Sequence, residues 1–382
     1  GTIIKQGLKN SKNMKKKVLI IITRGEIGGA QQFVLTLARG LKTKGWDLVV
    51  GCGDDGYLKK QICKENISFH LFKNLGRTHN PFKNIGFIIE LYNFCKKEHI
   101  DIVHLNSSNT LVGTIGAQLA HTKTIATLHG LSFLDPNHTN SSWLRFCYKL
   151  IFSFLLTFID QIIFVSKYNF AYAAKIGVAK KGHLIYNGID IDSTSQYSKE
   201  EAQKLFSQKT GVDFSNSFVI GSIGRYAYPK NYEFVIKNFK EIQHLIPTAK
   251  LLLIGEGPDR NTYENLIERL RLKNDVFLLG EMLPGSAYLR GFDLFILPSI
   301  YEGLPLSILE ATQTNVPIIG SKVGGIPEII DEKYCFSPHS TKELLQALTH
   351  RTSSRKEIQK NTIDFSGATM VAEYVKLYET FF

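Results

Sequence analysis

Short, continuously apolar runs rich in β-branched residues recur along this chain, each followed by a longer stretch with helical spacing. The first series comprises 17–23 (KVLIIIT), 47–53 (DLVVGCG), 101–106 (DIVHLN), 124–129 (TIATLH), 161–166 (QIIFVS) and 182–187 (GHLIYN). The pattern then restarts with 218–224 (FVIGSIG), 249–257 (AKLLLIGEG), 275–281 (DVFLLGE), 293–299 (DLFILPS) and 316–321 (VPIIGS). Strands that are apolar on both faces and alternate with helices belong to parallel sheets covered on both sides. Two series in 382 residues therefore predict two doubly wound α/β domains in succession. The stretch 192–216 is polar and without strand pattern, so it reads as the linker. The division expected is 14–195 and 196–365. Ligands of such sheets lie outside the carboxyl ends of the strands, which directs the loops of both domains to one crevice.

Residues 1–13 precede Met14, which reads as a natural start, and are taken as a disordered arm or an expression remnant. Five scattered cysteines without CxxC spacing argue against a disulfide framework or zinc site and for a reducing cytoplasm. The sequons at Asn106, Asn137 and Asn140 carry little weight without a sign of secretion.

The net charge of +12 is unevenly placed. Residues 1–17 hold six lysines and no acid, residues 18–195 hold 19 Lys/Arg against 12 Asp/Glu, and residues 196–382 hold 21 against 22. An anionic partner therefore belongs to the first half. No basic stripe interleaved with aromatics appears, so nucleic acid is not expected. An anionic membrane face or a phosphate-bearing substrate fits better, with Arg145, Lys149, Lys167, Lys180 and Lys181 as candidate contacts. The most apolar segment, CYKLIFSFLLTFIDQIIFVS from Cys147, has ten uncharged residues between Lys149 and Asp160, too few to span a bilayer. It reads as a buried helix followed by a strand, with a helix resting on lipid as the alternative.

The segment YEGLPLSILE (301–310) holds Glu302 and Glu310 around a Gly-Leu-Pro turn and a helix start near Leu306. Free N–H groups and the helix dipole make such a start an anion site. Ionised carboxylates only accept hydrogen bonds, which suits vicinal diols. The pair thus fits recognition of sugar and ribose hydroxyls with a diphosphate between them; an ordinary acidic helix start and a solvated glutamate fit the spacing equally. A second junction, GRYAYPKN, places Arg225 and Lys230 between a strand and a helix. There they suit a diphosphate clamp or a solvated pair.

Taken in order, GRYAYPKN, LLLIGEGPDR, VFLLGE, DLFILPSIYEGLPLSILEA and VPIIGSKVGGIPEII resemble the nucleotide-sugar-binding domain of glycosyltransferase family 4. GEIGGAQQFVLTLARGLKTKG, HG at 129–130, FVSKY and IYNGID in the first half also fit. The resemblance spans roughly Lys17 to Ile330. It implies the GT-B fold, two Rossmann-like domains facing a central cleft, with a final helix (366–382) crossing back onto the first domain. It implies retaining transfer from a UDP- or GDP-sugar without a metal. By the same resemblance Arg225 and Lys230 match the residues on the donor diphosphate. Glu302 matches the acid at the donor sugar, beside backbone N–H groups of Gly303, Leu304, Pro305 (which has none) and Leu306. Glu310 matches the acid on the ribose, and His129 the histidine near the transferred sugar. Gly28 and Gly29 match the loop that reaches the donor phosphates or the acceptor. From the residues alone, His129 is equally a structural histidine, and the loop is not a GxGxxG.

DID (190–192) and GDD (53–55) are weighed as metal sites and set aside as turns. The expected acceptor is a glycan on a polyprenyl pyrophosphate, met by the basic first domain at the inner face of the cell membrane. The rivals are a same-fold nucleotide-sugar epimerase, a phosphorylase and a non-catalytic sugar-nucleotide-binding subunit of a polysaccharide assembly.

Overall fold

The computed structural model describes residues 16–78, 80–131, 134, 141–178, 182–190, 196–353 and 363–382. The expected arm 1–13, Lys180, Lys181, Asp192 and the sequons at Asn137 and Asn140 lie outside the described residues.

The first series of apolar runs folds as β1 (Lys17–Ile22), β2 (Asp47–Cys52), β3 (Ser68–Leu71), β4 (Ile102–Leu105), β5 (Lys123–Leu128), β6 (Gln161–Phe164) and β7 (His183–Leu184). They form one parallel sheet in the order β3-β2-β1-β4-β5-β6-β7. The second series gives β8 (Phe218–Ile223), β9 (Ala249–Ile254), β10 (Val276–Gly280), β11 (Leu294–Leu297), β12 (Ile318–Ser321) and β13 (Cys335–Phe336), ordered β10-β9-β8-β11-β12-β13, again parallel. Two Rossmann-like sheets in an α/β fold are what the sequence predicts. The unpredicted strands, β3 and β13, are edge strands. One is only partly buried and the other two residues long, so neither carries the apolar run that marks a central strand.

Three expectations need correction. The segment read as a linker contains a helix, Lys199–Thr210, capped reciprocally by Ser198 and Glu201 and anchored through buried Ala202 and Phe206. Its apolar positions are too few to show a stripe, so the polar composition hid it. The segment read as a buried helix, Ser142–Leu156, buries only Leu156 and exposes Trp143, Phe146, Leu150, Ile151 and Phe154. Tyr148, Phe152 and Leu155 pack against the first-domain core, and the rest of its apolar surface faces outward. Asp54, read as part of a solvated turn, accepts hydrogen bonds from Gly25 N (2.9 Å) and Gly56 N (3.2 Å) and pins the loop after β1. Among the described residues no helix is long and apolar enough to cross a membrane.

The helix Gly367–Glu379 packs on the helix Gly29–Thr43 of the first domain. Its Met370, Val371, Tyr374 and Tyr378 join Phe33, Leu37 and Leu41 in one buried cluster. A Cβ on Gly40 would stand 2.4 Å from Val371, so glycine lets the two helices approach. Beneath them Tyr378 meets His104 Nδ1 (2.6 Å), His104 Nε2 meets Thr127 (2.7 Å), and Thr127 meets Tyr374 (2.8 Å). Burial holds His104 neutral, its pKa down to about 3.

Candidate active site

The strand order of the second sheet reverses between β8 and β11. Loops leaving the carboxyl ends of those two strands must part there and open a crevice. The loop after β8 carries Arg225 and, in a short 3-10 turn, Lys230. Asn231 takes a left-handed conformation (φ 54°) that ends this turn, and its side chain donates to Pro298 O (3.1 Å), binding the β8 loop to the β11 loop. Asn tolerates that conformation better than most residues.

The loop after β11 brings Glu302 to Lys230. Lys230 Nζ donates to Glu302 Oε1 at 2.7 Å, and Ser299 Oγ donates to the same oxygen at 2.6 Å. Both members of the pair are largely buried. The sequence reading gave the lysine to phosphate and the glutamate to hydroxyls as separate duties. In the structure the two charges are joined, and each orients the other. Ser299 was not anticipated; its position one turn before the glutamate, at a strand end, is the only sequence signal for it.

The helix Leu306–Gln313 follows, with Pro305 as N-cap and no side chain capping it. Its first turn holds no acid, so its dipole faces the crevice unneutralised. Glu310 lies one turn further in. It keeps part of its surface open, its carboxyl has no hydrogen-bond partner among the described residues, and burial by the packing around it raises that carboxyl to about 7. A desolvated, unpartnered carboxyl is a group awaiting donors.

The first domain meets these loops directly. A Cβ on Gly303 would stand 1.7 Å from His129 O, so only glycine permits the approach. Gly303 O accepts from Gly325 N (2.7 Å), and Leu304 O accepts from Asn187 of the first domain (3.1 Å). The imidazole of His129 packs edge-on to Phe33 at 4.6 Å, and its buried Nε2 has no hydrogen-bond partner among the described residues. Burial lowers its pKa to about 4, so the ring is neutral at physiological pH. Gly29 faces Leu306 across the cleft, with a Cβ position 3.6 Å from that side chain, while Gly28 is extended (φ 178°) and contacts Gln31 of its own helix. Arg225 reaches toward the first domain, 3.9 Å from Glu26. The candidate donor-site residues thus border one crevice, on loops or in the helix that follows one of them, whereas Arg145 and Lys149 lie away from it on the helix Ser142–Leu156.

Glu328 was not singled out. Its carboxylate accepts from Lys167 N and Tyr168 N at 2.9 Å each and from Tyr186 OH at 2.9 Å, capping a first-domain helix from the second domain. Asp190 of the DID turn accepts from Gly367 N (3.1 Å), at the start of the crossing helix. Among the described residues no three His, Cys, Asp or Glu side chains converge as a metal site.

The sequence matches the Glycosyltransferase Family 4 pattern over residues 27–193 and the Glycosyl transferases group 1 pattern over residues 204–364. Among curated proteins it is 28% identical to an Escherichia coli UDP-Gal:α-D-GlcNAc-diphosphoundecaprenol α-1,3-galactosyltransferase over 82% of this chain and 81% of that one. It is 25% identical to the N-acetyl-α-D-glucosaminyl L-malate synthase of Bacillus anthracis over 78% and 79%. Among solved structures, Anabaena HepE in complex with UDP and glucose superposes with a TM-score of 0.81 over 96% of this chain and 100% of that one, at 21% identity, a likeness of fold. Both halves of the chain, the GT-B architecture and these relatives agree: the protein is a glycosyltransferase of family 4.

Proposed function

We propose that the enzyme moves a hexosyl or N-acetylhexosaminyl group from a UDP-sugar to a hydroxyl of a glycan carried on a polyprenyl pyrophosphate, with retention at the anomeric carbon. The observation that carries this reading is the meeting of Arg225, Lys230, Glu302, Glu310 and the uncapped start of the 306–313 helix at one strand-order reversal. Cations and open amides at that place receive a diphosphate. Glu310, ionised, accepts the ribose diol, and the free oxygen of Glu302 faces the sugar. The neutral His129 exchanges a hydrogen bond with a sugar hydroxyl.

As the bond between the anomeric carbon and the diphosphate breaks, negative charge grows on the leaving oxygen. Arg225, Lys230 and the helix start stabilise it there, which is where a preorganised site lowers a barrier. The acceptor hydroxyl then attacks from the same face, its proton passing to the departing phosphate. On this reading no divalent metal is required, and turnover persists in chelator. The E. coli relative's name supplies the UDP donor, the diphosphoundecaprenol acceptor and an α-linked product; at 28% identity these come here as proposals.

The exposed apolar helix Ser142–Leu156 supports a membrane-bound acceptor, because it gives the acceptor-binding domain a surface for lipid. The test offers purified protein a panel of nucleotide sugars with a polyprenyl-diphosphate-linked acceptor, and reads the product by mass and by anomeric configuration. Transfer with retention is expected. Donor isomerised without acceptor marks an epimerase, and donor bound without any turnover marks a binding subunit; either ends the proposal.

A further inference from the structure

The loop between β1 and the helix Gly29–Thr43 presents a charge cluster of which only Arg225 has a role above. Glu26 lies within ion-pair reach of three guanidinium groups. Arg77 donates to it at 3.0 Å, Arg24 lies at 3.7 Å, and Arg225 approaches from the second domain at 3.9 Å. Three arginines against one carboxylate leave two positive charges in excess, and among the described residues none of the three has another carboxylate partner. All four side chains remain accessible to solvent, so an incoming anion reaches them without unfolding anything.

The loop itself is held on both sides. Asp54 accepts from Gly25 N (2.9 Å), Leu58 N donates to Gly25 O (2.9 Å), and Gln31 Nε2 donates to Arg24 O (2.7 Å). Arg24 and Glu26 therefore hang from an anchored backbone. The loop ends at Gly29, against Leu306, so the cluster opens on the same crevice as the 306–313 helix start.

We infer that Arg24 and Arg77 of the first domain join Arg225 in a diphosphate-binding subsite, with Glu26 as its internal counterion. Guanidinium groups are planar forks that match phosphate oxygens two at a time. A carboxylate offers two oxygens and one charge; a diphosphate offers more of both and displaces it. While the subsite is empty, Glu26 relieves repulsion among the three cations. Both substrates of the proposed reaction carry a diphosphate, and the inference rests on that reading only for which of them occupies the subsite.

Calorimetric titration of the full chain with inorganic pyrophosphate tests it. Glu26→Gln is expected to tighten binding and Arg77→Ala to weaken it, each by about fivefold, the scale of a half-exposed ion pair, with added salt shrinking both effects. Unchanged pyrophosphate affinity in both folded variants overturns the inference. Should Arg77→Ala unfold, Arg77→Lys keeps the charge without the fork and is expected to fall between wild type and loss. Steady-state kinetics separates the sources. A raised acceptor KM with donor KM unchanged in Arg24→Ala and Arg77→Ala assigns the subsite to the lipid carrier, and the reverse assigns it to the donor. No change in either KM overturns its role as a substrate site. A pyrophosphate response in a protein that transfers no sugar would sink the proposed activity and leave the subsite standing.

Discussion

Gly303 of the second domain and His129 of the first are in contact through backbone alone: a Cβ on Gly303 would meet the His129 carbonyl oxygen at 1.7 Å. The contact brings the candidate sugar-binding histidine beside the turn that carries Glu302. Gly325 adds a hydrogen bond to Gly303 O at 2.7 Å, so the turn is fixed from behind as well. The juxtaposition of the two domains at the site thus depends on one missing methyl group.

Gly303→Ala is accordingly expected to push the domains apart. Overpacking of this kind costs roughly 2 kcal/mol, and if that cost falls on the closed arrangement alone, kcat/KM drops about thirtyfold. Small-angle scattering is expected to show a larger radius of gyration with both domains still folded. A variant with wild-type kinetics and dimensions would mean that catalysis does not use this closed arrangement.

The ion pair of Lys230 and Glu302 predicts an asymmetry between single and double substitution. Lys230→Met leaves a largely buried carboxylate without its cation, and Glu302→Gln leaves the lysine without its acid. Each is expected to cost about 1–3 kcal/mol of stability, mostly as the desolvation of the partner left behind. The double variant regains part of that stability. Turnover is expected not to be regained, because the proposed reaction needs both groups at the donor. Denaturant midpoints and initial rates for the set of four proteins check this, and additive stability losses would show that the two side chains do not interact.

Glu310 is expected to make the enzyme sensitive to pH near neutrality. Its carboxyl titrates at about 7 in the folded protein against 4.5 without burial. Between those values the folded chain binds the extra proton, so this group makes stability fall as pH rises through the window and level off above 7. Donor binding runs the other way, because only the ionised form accepts both hydroxyls of a diol. The donor KM is expected to rise as pH falls from 8 to 6, roughly tenfold per unit below the pKa. Glu310→Gln is expected to flatten that profile at a uniformly weak KM and to stabilise the protein most at high pH. An unchanged pH profile in the variant would remove Glu310 from donor recognition.

The sheets were legible because a central parallel strand must be apolar on both faces, and no other element imposes that pattern on Leu251–Ile254 or Phe295–Leu297. The order of motifs along the chain also exposed Arg225, Lys230 and the two glutamates. What stayed hidden depends on three-dimensional partners. His104 sits in a strand run like any other, and only the crossing helix, far away in sequence, supplies Tyr378 to it. Glu328 looks like a surface acid until the start of the Lys167–Lys175 helix is brought against it. The outward face of the Ser142–Leu156 helix was misread for a related reason: composition reports hydrophobicity, and only packing reports which way it points.

That helix carries the last prediction. Trp143, Phe146, Leu150 and Phe154 recur at three- and four-residue intervals, one stripe of a helix, and Trp143 and Phe154 are 70% and 59% exposed. The helix contains Arg145 and Lys149 and no acid. A second helix, Pro81–Glu98, exposes Phe82, Ile85, Ile89 and Tyr92 at similar spacing, and both helices pack on the same short turn, Ser108–Gly113. Each large side chain moved from water into the lipid interface is worth up to about 2 kcal/mol, and each basic residue near an anionic surface about 1 kcal/mol more. Vesicles containing anionic lipid are therefore expected to bind the protein, with Trp143→Ser/Phe154→Ser weakening binding by at least about tenfold and Arg145→Gln/Lys149→Gln making it less sensitive to salt. Transfer to a short, water-soluble acceptor is expected to survive in all four substitutions, since none of these residues lines the crevice. Self-association of the wild type, abolished by Trp143→Ser/Phe154→Ser and unaccompanied by vesicle binding, would show that a second copy covers this face in place of lipid.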